Sequence, residues 1–149
     1  MSKATVACLF VATVLSANLS AEDTYDGYRQ AHQESIDAAQ PLVVLVGADW
    51  CPHCRVMKES VIPRLRSNGS LEGVSFAVID SDRESRLASK LMQGRGIPQM
   101  VMFTKNPNGD GWSRSYLKGS QSIKAVEAFI RKGVATSVEK TVSTTSKTH

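Results

Sequence analysis

Leu42-Val43-Val44-Leu45-Val46-Gly47-Ala48-Asp49-Trp50-Cys51-Pro52-His53-Cys54 carries three signals in succession. The first is a run of five apolar residues, the length of a strand. With helical patterns on both sides, such a run reads as a strand buried on both faces. A short connection follows, Gly47 to Trp50, and then two cysteines three positions apart. Pro52 suits the first position of a helix, where its missing N–H costs nothing and its φ is preset. Cys51 therefore falls at a helix start, and Cys54 lies one turn further in.

Upstream, Tyr25 to Ala39 is helix-permissive, with Tyr28, Ala31, Ser35 and Ala38 at helical spacing. Pro41 closes it. Downstream, Val56, Met57, Ser60 and Val61 give the second helix an inward stripe, Pro63 bends or ends it, and Asn68-Gly69-Ser70 is a turn. Val74 to Ile79 reads as a second strand. Leu87, Ala88, Leu91 and Met92 mark a short amphipathic helix, broken at Gly94-Arg95-Gly96. Met100 to Phe103 is a third strand, joined through Asn106 to Gly111 to a fourth, Trp112 to Leu117. A last helix places Ile123, Val126, Phe129 and Ile130 on one face. Helix, strand, helix, strand, helix, then a strand hairpin and a closing helix make an α/β domain. It is a mixed sheet of about four strands with helices on both faces.

The ends read differently. Lys3, an uncharged stretch from Ala4 to Ala17, and small residues up to Ala21 follow the order of a secretory signal. Residues 1–21 are therefore expected to be removed on export, after Ala21 or Ala17. Thr5, Thr13, Ser16, Asn18 and Ser20 leave too few apolar residues for an uncleaved anchor of ~20 residues. Cys8 leaves with this segment, so the mature chain keeps one cysteine pair. Residues 22–135 form the domain, and 136–149, rich in Ser, Thr and Lys, read as a polar, disordered tail. With 149 residues there is room for one domain. The net charge of +4 comes from scattered Lys and Arg, and only 6% of residues are aromatic. Neither a basic stripe nor a base-stacking platform is present, so no nucleic-acid partner is expected. The mature protein is expected to be a monomer without stable membrane insertion.

Trp50-Cys51-Pro52-His53-Cys54 between strand and helix, Gly96-Ile97-Pro98 before the third strand, and Gly119 before the last helix together resemble the thioredoxin superfamily. The likeness covers roughly residues 25–134. It implies a thioredoxin-like three-layer fold, with Trp50 beside the sulfurs, Pro98 as a cis proline opposite them, and Ile97 offering its backbone to an extended substrate. The match is nearest to exported single-domain forms whose first helix leads directly into the central strand. The Pro52-His53 dipeptide resembles that of bacterial periplasmic disulfide oxidases, but the 43 residues between Cys54 and Pro98 cannot hold their helical insertion. Two departures stand out. Leu45 occupies the place of the family's buried aspartate, six residues before Cys51, and Pro63 comes nine residues after Cys54 instead of five.

Thiol–disulfide exchange needs an attacking thiolate and a second thiol within reach. Cys51, at the helix start, is assigned as nucleophile and Cys54 as the resolving cysteine, with Trp50, Pro52 and His53 tuning them. A protonated His53 adds positive charge near Cys51 and is expected to make the pair more oxidising than one with Gly-Pro between its cysteines. Asp49, Lys58 and Glu59 read as solvated charges, with Lys58 also a candidate for assisting proton transfer at Cys54. Alternatives are a structural disulfide, worth only about 2 kcal/mol for so short a loop, and a zinc site, which wants four ligands. A non-catalytic copper carrier using the same two thiolates is the rival function. No cofactor or resident metal is expected. The expected partners are client proteins with thiols or disulfides and a redox protein that resets the pair.

Overall fold

The computed structural model describes residues 23–106 and 111–145. The segment read as a secretory signal lies outside them. Strand β1 (Leu42–Gly47) is the centre of the sheet, and all six of its residues are buried. It pairs in parallel with β2 (Ser75–Asp80) and antiparallel with β3 (Gln99–Lys105), which in turn pairs antiparallel with β4 (Trp112–Lys118). The order is β2-β1-β3-β4, a mixed four-stranded sheet.

Alternation along β1 sends neighbours to opposite faces and so creates two cores. Val43 and Leu45 pack with Met57, Val61, Ile62, Leu65, Val126 and Ile130. Leu42, Val44 and Val46 pack with Ala31, Ala77, Ile79, Ala88 and Leu91. The first face is covered by α2 (Pro52–Val56), α3 (Ile62–Ser67) and α5 (Ile123–Thr145), the second by α1 (Asp23–Asp37) and α4 (Ser85–Leu91). Fully burying one such side chain is worth roughly 1.5–3 kcal/mol, so the two cores dominate the stability.

Several local expectations change in the folded chain. Pro63 does not end the second helix. A π-helical turn, Met57–Val61, joins α2 to α3, with the Ile62 N–H reaching back to the Met57 carbonyl. Pro63 then sits in the first turn of α3, where it needs no partner for its nitrogen. The helical run stops at Asn68, followed by Gly69 at φ +77°, a left-handed position that suits glycine. The inward stripe is Cys54, Met57, Val61 and Leu65, while Val56 is 48% exposed and Ser60 also faces out. Cys54 fixes that face, and Val56, two residues on, points away from it. Ala38 lies past the end of α1 and is exposed. α5 continues to Thr145, beyond the position where the tail was expected to begin. No proline or glycine follows Gly133 to stop it, and extending an established helix adds one hydrogen bond per residue fixed.

Candidate redox site

Cys51 is the N-cap of α2. Its backbone is extended, at φ −83° and ψ 114°, and its Sγ accepts the Cys54 N–H at 3.2 Å. The sulfur thus serves one of the donors that a helix start leaves unpaired, as a serine or aspartate oxygen does elsewhere. Pro52 occupies the first turn. Cys51 and Cys54 are joined as a disulfide, with their Cα atoms 5.2 Å apart. Cys51 keeps 4% of its surface and Cys54 none.

The end of β1 explains how α2 reaches the sheet. Gly47 shares the face of Val43 and Leu45, the face under α2. A Cβ added at Gly47 would lie 3.0 Å from Cys54 Cβ and 3.1 Å from Cys54 Sγ. Only a residue without a side chain lets the second cysteine settle there. Leu45 is fully buried among apolar neighbours, so no carboxylate approaches Cys54 from that position.

The third-strand loop completes the site. The Ile97–Pro98 peptide is cis. Ile97 packs against Ala48, Cys51 and Cys54, and its carbonyl oxygen lies 4.0 Å from Cys51 Sγ. Buried Gln99 fixes the loop from beneath, accepting the Gln93 N–H at 3.0 Å and donating to the Gly96 carbonyl at 2.8 Å. Gly119, at φ +78°, donates its N–H to the Pro98 carbonyl at 2.8 Å. All three separated sequence features therefore meet at one end of the sheet.

Trp50 and His53 take other positions. Trp50 is not core: it is 68% exposed, and its indole N–H donates to Asp82 at 2.7 Å. His53 is exposed beside Pro52. Asp49 is more than a solvated charge. It binds Lys58 at 2.9 Å and Arg83 at 3.0 Å, and these contacts hold its carboxyl below the usual aspartate value, the Lys58 hydrogen bond first. The Lys58 side chain is only 23% exposed.

Sequence reasoning missed Gly47, Gln99, Asp82 and Arg83. Gly47 ending a buried strand just before the motif was a usable signal of close approach. The other three gave none, since their partners are distant in the chain. Among the described residues, no three His, Cys, Asp or Glu side chains converge as a metal site. A cleft of about 330 Å³ lined by Tyr28, His32, Leu42, Phe103 and Trp112 lies at the opposite end of β1 and takes no part in the pair's chemistry.

Residues 24–132 match the family model for thioredoxin. The chain belongs to the thioredoxin family. Endoplasmic reticulum resident protein 44.2 of Caenorhabditis elegans is 26% identical over 145 residues, which cover 93% of this chain and 34% of that protein. The chain thus spans about a third of the length of this relative. Thermus thermophilus thioredoxin has the same fold, with a TM-score of 0.58 at 20% identity over 70% of this chain and 82% of that one. Fasciola hepatica thioredoxin gives 0.54 at 19% identity, covering 70% and 92%. Membership of the thioredoxin family, with the close cysteine pair, supports thiol–disulfide oxidoreductase chemistry at Cys51 and Cys54.

Proposed function

We propose that this thioredoxin-family protein exchanges disulfides with client proteins outside the cytoplasm, Cys51 attacking and Cys54 resolving. The observation that carries this reading is the asymmetry of the pair. Cys51 caps the helix beside the Ile97 carbonyl and keeps 4% of its surface, whereas Cys54 keeps none and is sealed against Gly47. In the direction that reduces a client, the Cys51 thiolate attacks one sulfur of the client disulfide, and the other leaves as a thiolate. Cys54 then attacks Cys51 Sγ, the internal disulfide forms, and the client's second thiolate is released. The electrons balance without a cofactor, and a separate redox protein must return the pair to its starting state. The Ile97 backbone pairs with an extended client segment, and exposed Trp50 and Val56 offer apolar contact beside it. A single copy carries the whole site and acts as a monomer. Turnover of a disulfide-linked fluorescent peptide without metal is expected. Negligible exchange together with stoichiometric copper binding would favour a carrier instead.

The Pro52-His53 dipeptide sets the poise toward oxidation. Each tenfold stabilisation of the Cys51 thiolate in the reduced form is worth about 1.4 kcal/mol, or about 30 mV for a two-electron couple. A Pro52→Gly, His53→Pro double variant is expected to have a potential lower by about 30–60 mV in a glutathione equilibrium. An unchanged potential would remove His53 from the account of the poise.

Export predicts a mature chain beginning near Asn18 or Glu22, checked by N-terminal sequencing of the secreted or periplasmic protein. An intact Met1 in the cytosol would refute the proposed compartment.

A further inference from the structure

Cys54 poses a chemical difficulty within this reading. To resolve a mixed disulfide it must become a thiolate, yet it is fully buried, and burial disfavours the charged form of a thiol. It packs in an apolar cluster with Ala48, Cys51 and Ile97. The cap hydrogen bond favours Cys51, since the Cys54 N–H points to that sulfur.

One charged side chain approaches from the helical turn above. Lys58 lies four residues beyond Cys54, a spacing that brings side chains together on a helical surface. The point where a Gly47 Cβ would sit is 3.1 Å from Cys54 Sγ and 3.9 Å from Lys58 Cε. Both side chains therefore approach the same bare glycine, which puts Lys58 Cε within 7.0 Å of Cys54 Sγ. Asp49 holds the ammonium at 2.9 Å and is itself held by Arg83 at 3.0 Å, so the three groups together keep one net positive charge.

The other charged groups around this end of the sheet are engaged or turned outward. Buried Asp80, opposite Gly47 in β2, accepts the N–H groups of Asp82 and Arg83. Asp82 accepts the Trp50 indole N–H. His53 and Arg55 on α2, Glu59 in the π turn and Arg95 in the loop before Pro98 are exposed.

We propose that Lys58, positioned by Asp49, is the electrostatic partner of Cys54 and stabilises its thiolate during resolution of the mixed disulfide. Cys54 loses its proton to solvent, and its sulfur forms the bond to Cys51 Sγ. The Cys51–client bond breaks, and the client thiolate takes up a proton. Lys58 supplies charge, not a proton.

This inference rests on the exchange function proposed above, but its first test needs no client. Ultraviolet thiolate absorbance is titrated in the Cys51→Ser protein and in a Cys51→Ser, Cys54→Ser control, whose difference isolates Cys54 from Cys8. Adding Lys58→Met is expected to raise the Cys54 midpoint by about one pH unit, whereas Lys58→Arg should leave it within a few tenths. In the otherwise native protein, Lys58→Met should slow resolution of a trapped mixed disulfide about tenfold below neutral pH, with the deficit shrinking as pH rises. An unchanged midpoint in Lys58→Met would overturn the proposal. So would a Lys58→Arg shift as large as that of Lys58→Met, because lost packing, not lost charge, would then be the cause. Failure of the wild-type protein to exchange disulfides at all would refute the function and leave the titration readable.

Discussion

Cys51→Ser is expected to abolish disulfide exchange, and Cys54→Ser to arrest it at the mixed disulfide. The difference follows from position. Cys51 Sγ caps α2 and Cys51 keeps the only exposed surface of the pair, 4% against none, so a client disulfide approaches from its side. Cys54 keeps no exposed surface and can attack only Cys51 Sγ, once a client is joined to it. Serine puts a capping oxygen in place of the sulfur at position 51, so the fold should survive while the nucleophile is lost. Loss of turnover by several orders of magnitude is expected in both variants, from the absence of one reacting atom. Non-reducing electrophoresis and mass spectrometry separate them: Cys54→Ser should accumulate covalent adducts with clients, and Cys51→Ser should not. Adducts through Cys54 in the Cys51→Ser protein would reverse the assignment of the two sulfurs.

The second large effect is expected at Gly47, which carries no reactive group. A side chain there would have its first atom 3.0 Å from Cys54 Cβ, an atom fixed by the backbone that cannot swing aside. Relief requires α2 to move off the end of β1, carrying Cys54 away from the Ile97 loop. Overpacking of this kind costs typically 1–3 kcal/mol, and Gly47→Val should lie at the upper end with Gly47→Ala below it. For a chain of this size the melting temperature should fall by several degrees. Exchange should slow as well, because the lifted helix exposes Cys54 and misaligns it for resolution. Alkylation of the reduced variant should label Cys54 faster than in the native protein. A melting temperature and a labelling rate both unchanged in Gly47→Val would mean that α2 does not rest on this glycine.

Much of the fold was legible in the sequence because it depends on local order. The run from Leu42 to Val46 reads as a strand covered on both faces, and its alternation divides the two cores as period-two geometry requires. Pro52 marked the helix start, which placed Cys51 at the cap before any contact was known. The Ile97–Pro98 pairing with the cysteines came from resemblance to thioredoxins and not from spacing.

Tertiary structure decided what depends on elements meeting. The π-helical turn that accommodates Pro63 is a matter of how α2 and α3 fit the sheet, and no residue pattern announces it. Gln99 became the support of the active-site loop because β3 brings it under Gly96. Asp49, Lys58 and Arg83 look like unrelated surface charges in the chain, 34 residues apart at the widest, and become one network where β1, the π turn and the loop after β2 converge. Hydrophobic period and backbone preference act between near neighbours and can be read from sequence. The charge environment of a buried thiol is set by groups brought together only when the helices dock on the sheet.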